Sequence, residues 1–205
     1  MLMQWSVAIV AVVFGVAVLF VTLSRASRRA ARVDAERKHE EADEGWVIRE
    51  VEVKDAPVTI SSRYAVDHDD IDRLLEEFRA SKTGDRPAVL AMYRAFKTRL
   101  ERHIGWEDDI LFPLFERLTG LTDNGPTVVM RTEHRQIRAL LDSIDAALQE
   151  NETSVDADES TLLEVLAAHN VKEEHILYPM IDKQISVADR KAVFARMRAE
   201  TGERG

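Results

Sequence analysis

The chain has 205 residues, of which 32% are charged and 6% aromatic, with a formal net charge of -9 and no cysteine. Without cysteine there are no disulfides, thiolate zinc sites, iron–sulfur ligands or thiol nucleophiles, so any metal must be held by histidine and carboxylate. The acidic balance argues against a nucleic-acid partner, and the charged, aromatic-poor mix suits helices around one core with extra segments attached.

Residues 1–24 carry no charged side chain, and Trp5 to Leu23 is apolar apart from one Ser and one Thr. A helix needs about 20 such residues to cross a bilayer. Arg25, Arg28, Arg29 and Arg32 follow directly. The positive-inside bias therefore predicts a single-pass anchor in the inner (cytoplasmic) membrane, with the rest of the chain on the cytoplasmic side. The same arginines are placed to touch anionic headgroups. A cleaved signal peptide fits less well, because no basic residue precedes the run and no small-residue cleavage site follows it. Residues 25–60 read as a basic juxtamembrane stalk and linker. Ala26 to about Asp43 is Ala/Arg/Glu-rich and helical in pattern, Gly45 breaks it, and Trp46 to Ile60 alternates apolar and charged residues as an extended segment does.

Four amphipathic helical segments are then predicted: about Ser62 to Ser81, Pro87 to Leu118, Thr127 to Glu150 and Glu159 to Lys183. Thr83-Gly84, Gly120, Asn124-Gly125-Pro126 and the polar run Asn151 to Asp158 separate them. A short fifth helix, about Val187 to Glu200, is capped by Ser186 with Asp189 three residues on. Short loops imply antiparallel neighbours. The expected fold is all-α, an antiparallel up-down-up-down four-helix bundle over 61–183. A C-terminal helix and tail over 184–205 and the transmembrane helix complete it.

An internal repeat carries the chemistry. His103-Ile-Gly-Trp-Glu107-Asp-Asp-Ile-Leu-Phe-Pro113 aligns with His169-Asn-Val-Lys-Glu173-Glu-His-Ile-Leu-Tyr-Pro179 at an offset of 66 residues. The same offset aligns Asp67-His68 with Glu133-His134, and each lone histidine precedes its His-x3-Glu pair by 35 residues. Residues four apart share a helix face, so His103 with Glu107, and His169 with Glu173, can grip one site. His68 shares a face with Ile71 and Leu75, and His134 with Ile137 and Leu141, which turns all four histidines inward. Imidazole with carboxylate suits iron, manganese or zinc. A carboxylate can bridge two metals where an imidazole cannot, so the natural arrangement has Glu107 and Glu173 bridging two ions, each capped by two histidines. A purely structural polar core would have to satisfy six such groups at once.

These stretches, together with GPTVVMRTEH, resemble the hemerythrin-like (HHE cation-binding) family over about residues 60–182. The resemblance implies a non-haem di-iron centre with two iron ions, His68, His103, His134 and His169 as terminal ligands and Glu107 and Glu173 as carboxylate bridges. Oxygen-carrying members use five histidines, and this chain offers four that fit. His39 lies in the stalk. His175 falls about 240° around the helix from His169, which reads as a surface histidine in an acidic neighbourhood, with a fifth-ligand role as the lesser alternative. Tyr64, one turn before His68, is a candidate hydrogen-bond donor or ligand, equally readable as a core tyrosine. Met130, at the matching place before His134, is expected to wall the pocket, and Trp106 and Phe112 to pack.

Open positions on both metals favour reaction with O2, NO or peroxide over reversible carriage. The expected function is a membrane-anchored di-iron protein that binds O2, NO or peroxide for sensing or binding. The alternatives are an oxidoreductase detoxifying peroxide, O2 or NO, an iron-handling protein for metal-centre repair, and a zinc-holding structural module. The partners expected are the small ligand, the bilayer through residues 1–24 and an unknown membrane or redox protein.

Overall fold

The computed structural model describes residues 57–150 and 155–201. The predicted transmembrane anchor (1–24) and the stalk lie outside the described residues, and no helix among the described residues is long and apolar enough to cross a membrane. The predicted extended linker also falls outside them except at its end. There, Ile60 is fully buried and opens the first helix, directly after the expected linker.

Every regular element among the described residues is helical. Helix α1 is Ile60–Ser81, and α2 is Arg86–Trp106. Helix α2 runs through a π-helical turn, Glu107–Leu111, into α3, Phe112–Thr119. Helix α4 is Pro126–Gln149. Helix α5, Asp156–Lys172, runs through a second π turn, Glu173–Leu177, into α6, Tyr178–Gln184. Helix α7 is Val187–Thr201.

The ends follow from side-chain chemistry. Thr59 and Ser62 form a capping box at α1, and the Asp182 carboxylate accepts the Ile60 and Ser61 backbone N–H groups at 2.8 and 3.0 Å. Gly120, at φ 73°, supplies the left-handed residue that stops α3. The predicted Ser186 cap is present, accepting the Asp189 N–H at 3.0 Å.

Contacts between elements define the topology. Along α1 and α2, Phe78 meets Tyr93 and His68 meets His103. Along α1 and the α5–α6 run, Arg79 meets Glu159, His68 meets Glu174 and Ile60 meets Asp182. Along the α2–α3 run and α4, Tyr93 meets Leu141, Asp108 meets His134 and Glu116 meets Thr127. Along α4 and α5, Ser143 meets Asp158 and Glu133 meets His169. In each pair one number rises as the other falls. All four neighbouring pairs are therefore antiparallel, as an up-down-up-down bundle requires.

The long second and fourth helices were predicted to be continuous. The structure instead widens each one at the repeat motif, where the Phe112 N–H reaches the Glu107 carbonyl and the Tyr178 N–H the Glu173 carbonyl, five residues back. Proline explains the position. Pro113 and Pro179 lack an N–H, and in an α-helix their rings would press on the carbonyl four residues earlier; a π turn relieves that clash. The Asp109 carbonyl, which Pro113 cannot satisfy, accepts from Arg196 of α7 at 3.3 Å.

The interior has two apolar clusters. One, including Ile71, Leu75, Phe78, Tyr93, Phe96, Leu141 and Leu162, fills the end near the α1–α2 loop. The other, including Ile60, Tyr64, Trp106, Phe112, Met130, Tyr178, Val193 and Met197, fills the opposite end, where α7 packs across the bundle. A buried polar layer separates them.

Candidate metal centre

The polar layer contains all six residues expected as ligands. His68 and His103 are 3% and 2% exposed, His134, Glu107 and Glu173 are at 0%, and His169 is at 2%. They arrive from four helical runs. The apolar faces of α1 and α4 carry His68 and His134 inward, and the His-x3-Glu pairs enter where each π turn begins.

Their donor atoms form two overlapping groups. Glu107, His134, His169 and Glu173 each offer one atom, all within 4.8 Å of one another, and so do His68, His103 and Glu173. His68 and His103 face each other through Nε2 at 3.2 Å. Glu107 Oε2 lies 3.4 Å from His103 Nε2 and 3.3 Å from His134 Nε2. Glu173 lies 3.4 Å from His68 Nε2 through Oε2 and 2.8 Å from His169 Nε2 through Oε1. Each glutamate thus stands between a histidine of one hairpin and a histidine of the other.

The opposite ring nitrogens are also held. Asp67 contacts His103 Nδ1 at 2.8 Å, and Glu133 contacts His169 Nδ1 at 2.9 Å. Asp108 contacts His134 Nδ1 and Glu174 contacts His68 Nδ1, both at 2.9 Å. A carboxylate on Nδ1 fixes the proton there and leaves the Nε2 lone pair free for a metal. These four acids were not singled out from the sequence. The signal was present, since Asp67 pairs with Glu133 and Asp108 with Glu174 at the same 66-residue offset. Cations brace these acids: Arg99 on Asp67, Arg138 on Asp108 at 3.0 Å and Lys172 on Glu133.

The electrostatics are those of a chelate. Burial alone would lower the His68 pKa, but the Glu173 and Glu174 carboxylates raise it to about 9. Burial likewise opposes protonation of His169, and Glu173 with Glu133 raises it to about 10. Burial would raise the Glu173 carboxyl, yet His169 and His68 hold it well below its usual range. Protons and metal therefore compete for the same lone pairs.

Four buried atoms of this layer, Glu107 Oε2, Glu173 Oε1, His134 Nε2 and His169 Nε2, make no well-aligned hydrogen bond, although His169 Nε2 and Glu173 Oε1 face each other at 2.8 Å as an ion pair. Such atoms cost stability unless a ligand satisfies them. Facing imidazole lone pairs and unpartnered carboxylate oxygens are the donor set a pair of cations would use, so the residues present fit a dinuclear metal site.

Tyr64 is buried and lies edge-on to His103 at 5.3 Å between ring centroids, but its hydroxyl has no hydrogen-bond partner. The expected donor role falls instead to Tyr178, whose hydroxyl reaches Glu107 Oε1 at 2.7 Å and Glu173 Oε2 at 3.0 Å. Tyr178 was missed because its repeat partner is Phe112, which reads as packing. Phe112 does pack, stacking on His134 at 5.6 Å and 8°. Met130 is buried in the same apolar cluster, as expected of a wall. His175 is exposed and belongs to neither donor group.

Residues 59–181 match the family described as Hemerythrin HHE cation binding domain. The iron–sulfur cluster repair protein YtfE of Edwardsiella ictaluri (strain 93-146) is 31% identical over 115 residues, covering 51% of this chain and 52% of that protein. The chain thus spans about half the length of the curated relative it matches. No solved structure matches it significantly. A family match over more than half the chain, on the residues that build this centre, places the protein in the hemerythrin HHE cation-binding family.

Proposed function

We propose that the protein is a non-haem di-iron protein, anchored in the inner membrane by residues 1–24 with its bundle in the cytoplasm, that binds O2, NO or peroxide. The observation that carries this reading is the convergence of four Nε2 atoms and two glutamates, with a carboxylate on every Nδ1. His68 and His103 would hold one iron and His134 and His169 the other, with Glu107 and Glu173 bridging. Iron held this way supplies a Lewis acid that can bind a small ligand and exchange electrons with it.

The protein's own residues set the conditions. The Nδ1 carboxylates orient the imidazoles and raise their basicity. The apolar clusters on either side of the layer exclude water and lower the local dielectric, which strengthens each charge interaction within. In the metal-free protein the Tyr178 hydroxyl donates to the Glu107 and Glu173 carboxylates. The anchor rests on the uncharged run 1–24 and the four arginines after it.

Metal analysis of the full chain in detergent is expected to find about two irons, with spectral changes on adding O2, peroxide or NO. Zinc alone would overturn the reading. In cell fractionation the chain is expected to stay with the membrane pellet through alkaline washing; release into the wash would remove the anchor.

The relative's name favours a second reading, in which the same centre holds iron for repair of damaged iron–sulfur clusters. Transfer of iron from the loaded chain to a cluster-depleted acceptor, without spectral response to O2, NO or peroxide, would favour repair over ligand binding.

A further inference from the structure

The two halves of the centre differ at one corner, and the difference concerns where a small ligand can bind. Resting on the di-iron reading above, we infer that the Tyr178 oxygen, its phenol proton released to solvent as the metal loads, is a fifth protein donor to the His68/His103 metal, leaving the His134/His169 metal as the position that accepts an exogenous ligand.

The distances carry the assignment. Donors about 2.1 Å from an octahedral ion lie about 3 Å apart along each edge. The Tyr178 oxygen is 2.7 Å from Glu107 Oε1, 3.0 Å from Glu173 Oε2 and 3.5 Å from His68 Nε2. His68 and His103 Nε2 are themselves 3.2 Å apart, and His68 Nε2 is 3.4 Å from Glu173 Oε2. The phenol oxygen therefore stands off these groups at the same edge spacing as the expected ligands. It is fully buried, comes from the turn following the Glu173 π segment and lies on the His68 side.

At the matching position of the other half, Phe112 stacks flat on His134 and offers no donor atom. Met130, buried in the same apolar cluster, stands one turn before His134 where Tyr64 stands before His68, so the second half carries a phenyl ring and a thioether at the positions of the two phenols. An apolar wall beside an open coordination position suits a small ligand with little need of hydrogen bonds. Chelation is thus symmetric in histidines and glutamates, and access is not.

The test uses the full chain in detergent, loaded with ferric iron, with azide as the probe. Wild type is expected to show a visible phenolate-to-iron charge-transfer band, with phenolate ring modes in resonance Raman, and to bind a single azide. Tyr178→Phe should lose the band, keep its iron and bind a second azide. Tyr64→Phe should keep the band. Phe112→Tyr should add a second phenolate signal and lose azide binding; should it not fold, the Tyr178→Phe arms decide alone. Full iron loading without a band, or a band that survives Tyr178→Phe, overturns the inference while leaving the di-iron reading intact. An iron content far below one per chain overturns both.

Discussion

The hairpin of α1 and α2 and the hairpin of α4 and α5 meet the centre with the same inner groups and different surroundings. Each brings one lone histidine, one His-x3-Glu pair, a carboxylate before the lone histidine and another after the glutamate. Even the crossing pattern is shared. Asp67 and Glu133 clamp a histidine of their own hairpin, whereas Asp108 and Glu174 clamp a histidine of the other. The outer partners are not shared. Arg99 backs Asp67 and Lys172 backs Glu133, and these cations sit at unrelated places in the repeat. The walls differ as well: Tyr64 and Tyr178 lie on the His68 side, Met130 and Phe112 on the other. A chelate for two similar cations constrains donors and their orientation, so a duplicated plan suffices there. On the proposed reading, ligand access needs only one open side, and the surroundings of the donors are where the halves diverge.

The harshest way to break the comparison is Glu173→Ala. Glu173 belongs to both donor groups, so its loss should abolish tight binding of both metals, measured as iron per chain. It also strips His68 and His169 of their fully buried carboxylate, leaving each only the partly exposed Glu174 or Glu133, which should cost the metal-free protein up to about 3 kcal/mol in denaturant unfolding. Retention of both irons would show that the two groups do not share this residue.

Next in size is the response of the metal-free protein to pH. His68 and His169 have folded pKa values raised from 6.5 to about 9 and about 10. A raised pKa means that the proton binds the folded state more tightly. Its stabilisation is complete below 6.5 and disappears as pH rises through 9 to 10. The melting temperature of the metal-free chain should therefore fall by several degrees or more across that window. The iron-loaded chain should fall much less, since metal has taken the place of the protons. A flat profile for the metal-free protein would mean that the imidazoles are already neutral.

Asp67→Asn and Glu133→Gln probe whether equivalent clamps have equal effects. Each removes the acceptor on one Nδ1 and should weaken metal binding about 10–100-fold. Isothermal titration with a ferrous surrogate such as manganese gives the two affinities. Equal losses support a symmetric chelate; a loss confined to one variant would show that the backing cation, and not the carboxylate, sets the strength.

How much of this could be read beforehand depends on the period of the signal. The fold and the six central residues followed from helical spacing and a fixed 66-residue offset, both properties of the one-dimensional chain. The π turns did not, because they arise from a proline meeting the carbonyl four residues back inside an apparently continuous amphipathic run. The clamping acids were visible as a matched pattern without a role, since their partners sit across the bundle. Tyr178 against Phe112 was the least accessible: the side chains differ by one oxygen, and only the three-dimensional arrangement shows that this oxygen faces Glu107 and Glu173.

The smallest expected effect separates the two tyrosines. Tyr64 is one turn from His68 and lies 4.8 Å from Tyr178 between ring centroids, so proximity alone would give it a part in the centre. Its hydroxyl, however, is buried without a partner. A buried hydroxyl lacking a hydrogen bond costs free energy, and replacing it with hydrogen leaves the ring packing intact. Tyr64→Phe should therefore be neutral or stabilising by up to about 1 kcal/mol, with iron content unchanged. Met130→Leu, at the matching place, should be equally mild, because a volume-conserving apolar exchange in a core costs less than about 1.5 kcal/mol. Denaturant unfolding of the metal-free proteins reads both. If Tyr64→Phe lost iron, or destabilised the chain as a broken buried hydrogen bond does, Tyr64 would be a working part of the first half, and the asymmetry would rest on two phenols rather than on Tyr178 alone.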